Sequence, residues 1–137
     1  MNLTVQQVPQ QYCAQVWPQV KDFIADALKH GGGDYDIGQA QLMVNMGQWV
    51  LFVVVDEEKK IHGAATSSFI NYPNDRVAFI TTIGGKLISN KITFAQLSDQ
   101  LKQLGATKIQ GLARPSIARL WKRYGFNERS ILVETKL

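Results

Sequence analysis

The chain alternates between short apolar segments of strand length and segments whose apolar residues recur at helical spacing. Runs or alternations of apolar residues predict six strands, at residues 3–8, 49–55, 61–70, 76–83, 108–113 and 128–137. Apolar residues spaced by three and four predict four helices, at residues 10–29, 37–46, 93–104 and 115–124. The predicted order is β-α-α-β-β-β-α-β-α-β, an α/β (α+β) fold with a mixed central sheet and helices on both faces.

Turns and helix ends refine this pattern. Polar turns at residues 56–60 and 73–75 connect the three middle strands, which indicates an antiparallel meander. The helix at 93–104 then allows the strand at 108–113 to lie parallel to the strand before it, and its start at Thr93 fits a capping box completed by Gln96.

Two further segments of the first half need interpretation. Pro18 lies inside the first predicted helix, so this helix either covers residues 10–29 or begins near Trp17 or Pro18. We interpret the glycine run at 31–33 as a connector, because no strand precedes it to form a phosphate-binding turn.

Length, cysteine use and hydropathy narrow the class of protein. A chain of 137 residues predicts one domain, spanning residues 1–137. The longest apolar run, at 49–55, is too short to cross a membrane, and the N-terminus has no signal-peptide pattern. The single cysteine, Cys13, excludes an internal disulfide and any zinc site built from several cysteines. We therefore expect a soluble, cytoplasmic protein without a metal site.

Charge is distributed unevenly along the chain. Residues 86–137 carry ten of the fifteen Lys and Arg residues but only three of the eleven acidic ones. This asymmetry indicates either a solvated basic helix face or an anionic partner, namely a phosphorylated cofactor, a nucleic acid or an acidic protein surface. Because no motif combines aromatic and basic residues as nucleic-acid readers do, we do not expect specific nucleic-acid binding.

One motif points to a family. Residues 114–126 read RPSIARLWKRYGF. This stretch resembles the Asn-x-x-Ala-x-x-Leu-Tyr-x-x-x-Gly-Phe segment of the Gcn5-related N-acetyltransferase (GNAT) family, and the element order resembles that fold from residue 3 onward. The resemblance implies acetyl-CoA as cofactor and an amine as acetyl acceptor.

The resemblance also implies where acetyl-CoA would bind. The strand at 76–83 would pair through its backbone with the pantetheine amides, the following loop would hold the pyrophosphate, and basic residues after the fifth strand would meet the adenosine phosphates. The implied cofactor residues are Ile80, Thr81, Thr82, Ile83, Gly84, Gly85, Lys86, Lys91, Arg114, Arg119, Lys122 and Arg123. This loop departs from the family pattern because no Gly-x-Gly precedes the helix.

Catalytic residues are harder to assign. Trp121 stands where many family members have an acidic Tyr, and an indole N–H is no proton donor of useful acidity. Tyr124 and His62 remain the candidates for proton transfer, because the strand at 76–83 contains no carboxylate or histidine.

The sequence thus supports two main functions. The first is an acetyl-CoA-dependent N-acetyltransferase with a degenerate cofactor loop. The second follows from a particular similarity to small GNAT-like proteins of tailed bacteriophages: a non-catalytic protein without cofactor that binds phage or host proteins. It would serve in assembly of the internal virion core, in the host cytoplasm or the virion. A third alternative is an inhibitor whose basic half binds an acidic host protein or nucleic acid.

Overall fold

The core of the fold is a five-stranded mixed sheet. The structure, a computed structural model, describes residues 2–31 and 33–137, so Gly32 of the predicted connector lies outside the described residues. The strands follow each other across the sheet in chain order, with antiparallel pairing up to the fourth strand and parallel pairing between the last two. They are β1 (Thr4–Val8), β2 (Val50–Val55), β3 (Ile61–Asn71), β4 (Arg76–Gly85) and β5 (Lys108–Gly111). The predicted meander and the parallel fifth strand are confirmed.

Helices cover both faces of this sheet, as predicted. They are α1 (Gln10–Lys29), α2 (Ile37–Asn45), α3 (Lys86–Ser89), α4 (Lys91–Gln103) and α5 (Pro115–Lys122). Leu51 and Val53 of β2 pack beneath α1 and α2, whereas Phe52 and Val54 pack against Leu97 and its neighbours in α4. Because both of its faces are buried, β2 is apolar at every position rather than at alternate ones.

The first helix is continuous through Pro18, so the longer of the two interpretations is confirmed. Proline removes one backbone hydrogen bond from a helix interior. The helix buries Cys13, Trp17, Val20 and Ile24 along one stripe, and burying such residues contributes roughly 1.5–3 kcal/mol for each large side chain. Packing of this stripe on the sheet therefore outweighs the local cost of the proline.

The start predicted for the helix at 93–104, which is α4 of the structure, is wrong. The helix begins at Lys91, because the Asn90 side chain accepts hydrogen bonds from the backbone N–H groups of Ile92 and Thr93, at 2.9 and 3.2 Å. The Thr93 hydroxyl instead donates to the backbone oxygens of Lys86 and Asn90. Asparagine caps a helix as well as threonine does. Asn90 is also the residue at which the short helix α3, which the sequence did not predict, ends.

The predicted last strand, at residues 128–137, is also wrong. No residue of this segment forms a strand, and the segment is exposed throughout. The alternation of Ile131, Val133 and Thr135 provides a strand-like sequence, but this segment makes no backbone hydrogen bond to β5, the edge strand of the sheet, which itself ends at Gly111 rather than at residue 113.

Candidate cofactor-binding site

The two parallel strands separate half-way along β4. Residues Val77 to Ile80 pair with Lys108 to Gly111, and β4 then continues to Gly85 after β5 has ended. Residues 81–85 therefore have no strand partner on the side of β5. Unpaired backbone groups at a strand edge can pair with an extended ligand that carries amides. Thr81, Thr82 and Ile83 lie on this open edge, whereas Ile80 forms the last pair, so the edge begins one residue later than predicted.

A β-bulge marks the start of the open edge. Thr66 of β3 pairs with Thr82 and Ser67 pairs with Ile80, which leaves Thr81 as the extra residue of β4. The Thr66 hydroxyl lies 2.7 Å from the Thr81 hydroxyl and 2.6 Å from that of Thr82. Bulges commonly re-aim a side chain beside functional sites. Sequence analysis missed this cluster, although threonines on neighbouring strands of a predicted meander are a recognisable pair.

The glycines at the end of β4 serve close packing. An added Cβ at Gly84 would lie 3.0 Å from the Phe23 carbonyl oxygen of α1, and one at Gly85 would lie 2.4 Å from the His62 carbonyl oxygen. Gly85 also has a φ of 67°, which side chains rarely adopt. The close approach of α1 and β3 therefore accounts for both glycines without a bound pyrophosphate.

The start of α4 likewise offers few backbone donors to an anion, because Asn90 already accepts two of its N–H groups. Lys86 and Lys91, at the starts of α3 and α4, are exposed. This end of β4 therefore fits the amide chain of acetyl-CoA along the open edge, but it does not fit the backbone phosphate cradle implied by the family resemblance. In place of such a cradle, this end of β4 offers phosphates the side chains of Lys86 and Lys91.

The predicted basic residues of the C-terminal half do not form one cluster. The Arg114 guanidinium donates to Nδ1 of His30, at the end of α1, over 2.8 Å. Lys122 pairs with Glu128 at 3.3 Å, and this lysine and Arg119 line a groove beside the C-terminal segment. Arg123 is exposed at the end of α5. The His30–Arg114 contact, which sequence analysis missed, spans 84 residues and has no local signal.

The three aromatic residues of α5 and of the segment after it are packing residues. Trp121 is buried, its indole N–H has no hydrogen-bond partner among the described residues, and its ring lies 6.1 Å from that of Phe94. Tyr124, the predicted candidate acid, stacks on Phe94 with ring centroids 5.2 Å apart. Phe126 folds back onto α5 and contacts both Phe94 and Trp121. This aromatic cluster joins α4 to α5.

His62, the other candidate, is held by a hydrogen bond to Asp56 at the start of β3. Its Nε2 lies 2.8 Å from Oδ2 of Asp56. The hydrogen bond from His62 keeps the pKa of the Asp56 carboxyl below its usual range, and the backbone N–H groups of Lys60 and Glu58 act in the same direction. His62 lies at the end of β3 that pairs with Gly84 and Gly85. Along the strand it is about four residues, or about 13 Å, from the bulge at Thr81. The arrangement stabilises the hairpin rather than the start of the open edge.

The Asp56–His62 pair should make stability depend on acid. Because the folded-state pKa of Asp56 is lowered, its contribution is present above about pH 4 and is lost as the pH falls through the lower folded-state value. We expect Asp56→Asn to destabilise the protein at pH 7 and pH 5, and less at pH 3, in urea unfolding. A difference between wild type and variant that is as large at pH 3 as at pH 7 would contradict this assignment.

Other reactive groups are few. Cys13 is buried in α1, and burial raises the pKa of its thiol, which makes it a poor nucleophile. In residues 2–31 and 33–137 no three His, Cys, Asp or Glu side chains lie close enough to hold a metal ion. Over the same residues, no helix has the length and apolar character needed to span a membrane.

Comparison with solved structures identifies the fold. An aminoglycoside acetyltransferase from an uncultured soil metagenomic sample superposes with a TM-score of 0.70, at 14% identity, over 98% of this chain and 96% of its own. A predicted acetyltransferase from Clostridium acetobutylicum, solved with acetyl-CoA, gives 0.65 at 17% identity, over 98% of this chain and 96% of its own. The chain has the acetyltransferase fold. Glucosamine-6-phosphate N-acetyltransferase from Arabidopsis thaliana gives 0.63 at 12% identity, over 99% of both chains.

The similarity lies in structure and not in sequence. No protein-family model matches the chain, and no curated protein matches it significantly. The superpositions confirm the acetyltransferase fold and the mixed sheet. The activity, the acetyl acceptor and the site residues have to be argued from the geometry of this chain.

Proposed function

We propose that this protein binds acetyl-CoA along the open edge of β4 and transfers the acetyl group to an amine. The observation that carries the proposal is the end of the pairing between β4 and β5 at Ile80, which leaves residues 81–85 without a strand partner on the side of β5. In this arrangement the backbone of Thr81, Thr82 and Ile83 holds the pantetheine amides, and Lys86 and Lys91 meet the phosphates.

Acetyl-CoA supplies an acetyl group activated as a thioester. In the transfer, the amine nitrogen forms a bond to the carbonyl carbon, the carbon–sulfur bond breaks, and the ammonium proton is lost as the thiolate gains one. This chain has no acidic Tyr at the position of Trp121, and Tyr124 and His62 are engaged in packing and in a hydrogen bond. The amine must therefore arrive neutral, and turnover should rise with pH up to the pKa of the acceptor.

The role of the lysines is directly testable. We expect the double variant Lys86→Glu and Lys91→Glu to weaken acetyl-CoA binding at least tenfold in calorimetry, because two attractive charges become repulsive. The matched control is Lys102→Glu, which changes charge near the opposite end of α4 and should leave affinity within twofold. Equal affinity of wild type and double variant would remove these lysines from the site.

The class of acetyl acceptor can be tested with the amines that name solved acetyltransferases of this fold. Structures with this fold include an aminoglycoside acetyltransferase and a glucosamine-6-phosphate N-acetyltransferase, so aminoglycosides and amino sugars form the first panel. Release of free CoA thiol that requires both acetyl-CoA and an amine would support the proposal. Acetyl-CoA binding without turnover on any amine would contradict the proposed transfer.

That second candidate is a non-catalytic protein-binding module. It is favoured by the tight packing of α1 and β3 on Gly84 and Gly85, which explains these glycines without a phosphate, and by the buried indole of Trp121 where the family has an acidic Tyr. The setting expected from the sequence motifs is assembly of an internal virion core, with phage or host proteins as partners, and the solved structures that share the fold, which are acetyltransferases, give this setting no support. This role predicts stable association with particles and no acetyl transfer.

A further inference from the structure

Three threonine hydroxyls meet where the open edge of β4 begins. The Thr66 hydroxyl of β3 lies 2.7 Å from that of Thr81 and 2.6 Å from that of Thr82. Neighbouring residues of a regular strand point to opposite faces, so the bulge is what brings both side chains to the face of Thr66. Thr66 pairs with Leu51, which packs beneath α1, so the cluster lies on the α1 face of the sheet.

One hydroxyl hydrogen of this cluster has no acceptor within it. The cluster contains three hydroxyl hydrogens but only two hydroxyl–hydroxyl contacts, and each contact uses one hydrogen. Within residues 2–31 and 33–137, these hydroxyls have no hydrogen bond to a group outside the cluster. The position of the remaining hydrogen therefore decides which hydroxyl is free to donate to a ligand.

Burial selects Thr81 as the free donor. Thr66 and Thr82 are 0% and 4% exposed, whereas Thr81 is half-buried. A buried donor without an acceptor is costly, but a partly exposed one can donate to water or to a ligand. In the favoured arrangement the Thr82 hydroxyl donates to Thr66, the Thr66 hydroxyl donates to Thr81, and Thr81 keeps its hydrogen for a group outside the protein. Each hydrogen bond of such a chain polarises the next one.

The position of Thr81 determines which part of acetyl-CoA meets this donor. Thr81 is the first residue of the open edge, directly after the last pair between Ile80 and Gly111. The two lysines that the proposed function assigns to the phosphates lie beyond Gly85, which is four residues or about 13 Å farther along β4. In acetyl-CoA the phosphates and the acyl group are at opposite ends of the pantetheine chain. Phosphates at the lysines therefore leave the acyl thioester, with its carbonyl oxygen, at the Thr81 end of the edge.

We propose that the Thr81 hydroxyl donates a hydrogen bond to the carbonyl oxygen of the acyl thioester, and that Thr66 is a positioning residue that holds this hydroxyl as a donor. The inference rests on the proposed function, because it requires acetyl-CoA on the open edge of β4. It makes the site selective for thioesters over CoA derivatives without the carbonyl, such as thioethers.

Calorimetry with two ligands tests this donor. The ligands are acetyl-CoA and S-ethyl-CoA, a thioether with a methylene in place of the carbonyl. We expect the wild type to bind acetyl-CoA about fivefold more tightly, which corresponds to one typical hydrogen bond. Thr81→Val removes the hydroxyl at nearly constant shape and should reduce this ratio to twofold or less, with the affinity for S-ethyl-CoA unchanged within twofold. Thr66→Val should reduce the ratio in the same way, because Thr81 then loses the hydrogen bond that orients its hydroxyl.

Two further variants control for structural effects. Thr66→Ser keeps the hydroxyl and should keep the wild-type ratio, which a role of Thr66 in packing alone would not explain. Thr4→Val changes an exposed threonine of β1, at the other edge of the sheet, and should change neither affinity. Circular dichroism and thermal unfolding check that every variant is folded. If Thr66→Val does not fold, the half-buried Thr81→Val still decides whether the donor exists.

Infrared spectroscopy identifies the accepting atom. With acetyl-CoA that is isotope-labelled at the carbonyl carbon, the band of the bound thioester should lie at lower wavenumber in the wild type and in Thr66→Ser than in Thr81→Val. The physical reason is that a hydrogen bond to the oxygen weakens the carbonyl bond. A band at the same position in the wild type and Thr81→Val would overturn the inference.

The affinities separate this inference from the proposed function. Equal affinities of the wild type for the two ligands, a ratio that Thr81→Val leaves unchanged, or an equal loss of both affinities in Thr81→Val would each overturn the donor role and leave the binding of acetyl-CoA in place. A ratio that falls in Thr81→Val but not in a folded Thr66→Val would overturn the positioning role of Thr66. Absence of binding for both ligands would overturn the proposed function and this inference together.

Discussion

Replacing Gly85 with alanine should lower the free energy of unfolding by roughly 3 kcal/mol. Gly85 has φ 67° and ψ −144°, a region that is essentially restricted to glycine. Its added Cβ would also lie 2.4 Å from the His62 carbonyl oxygen and 2.7 Å from the Cα of Gly63. Both neighbours are backbone atoms of the paired strand β3, so neither can move without disturbing the sheet.

Urea unfolding measures this effect, and Gly31→Ala is the matched control. An added Cβ at Gly31 meets only the Leu28 carbonyl oxygen, at an ordinary 3.5 Å. We expect the control to stay within about 0.5 kcal/mol of wild type. If Gly85→Ala also stayed within that range, the tight junction of β3, β4 and α1 at the end of the open edge would be incorrect.

Replacing Phe94 with alanine should destabilise the protein by about 4 kcal/mol. Phe94 is buried in the first turns of α4, and its ring contacts those of Trp121, Tyr124 and Phe126. Removal of the ring leaves a cavity at the junction of α4 and α5 and takes away three aromatic contacts. Because α5 has only eight residues, this cluster is the main attachment of the helix to α4.

Phe94→Leu is the conservative variant, since it keeps most of the volume and should cost about 1.5 kcal/mol or less. Tyr72→Ala removes an exposed aromatic side chain and should have little effect. Urea midpoints at constant slope measure all three changes. A cost for Phe94→Ala no larger than that for Tyr72→Ala would contradict the aromatic cluster as the attachment of α5.

Most of the sheet can be predicted from sequence because its signals are local. The apolar run of β2, the turns at residues 56–60 and 73–75 and the helix before β5 together fix strand order and direction. The last strand was mispredicted for a physical reason. Alternation at residues 131–135 indicates the capacity to form a strand, whereas strand formation also requires backbone hydrogen bonds to a partner edge, and residues 128–137 make none to β5.

The candidate site is less accessible to sequence analysis, because its features depend on tertiary contacts. The open edge follows from a difference in length between β4 and β5, and the glycines at its end are explained by α1 and β3 rather than by a ligand. The bulge at Thr81 likewise becomes visible only from the register with β3. The residue substitution at Trp121, in contrast, is evident from the sequence motif alone.

The central claim is that the open edge of β4 binds the pantetheine chain of acetyl-CoA, and thermal unfolding with and without this ligand tests it most directly. At a hundred times its dissociation constant, the ligand adds about 2.7 kcal/mol of stability, which should raise the midpoint by roughly 8 °C. Because the account assigns binding to the pantetheine amides, adenosine 3′,5′-bisphosphate at equal concentration should give little shift. A saturable shift with acetyl-CoA alone is the predicted result. No shift at millimolar acetyl-CoA, or an equal shift with the bisphosphate, would contradict the account.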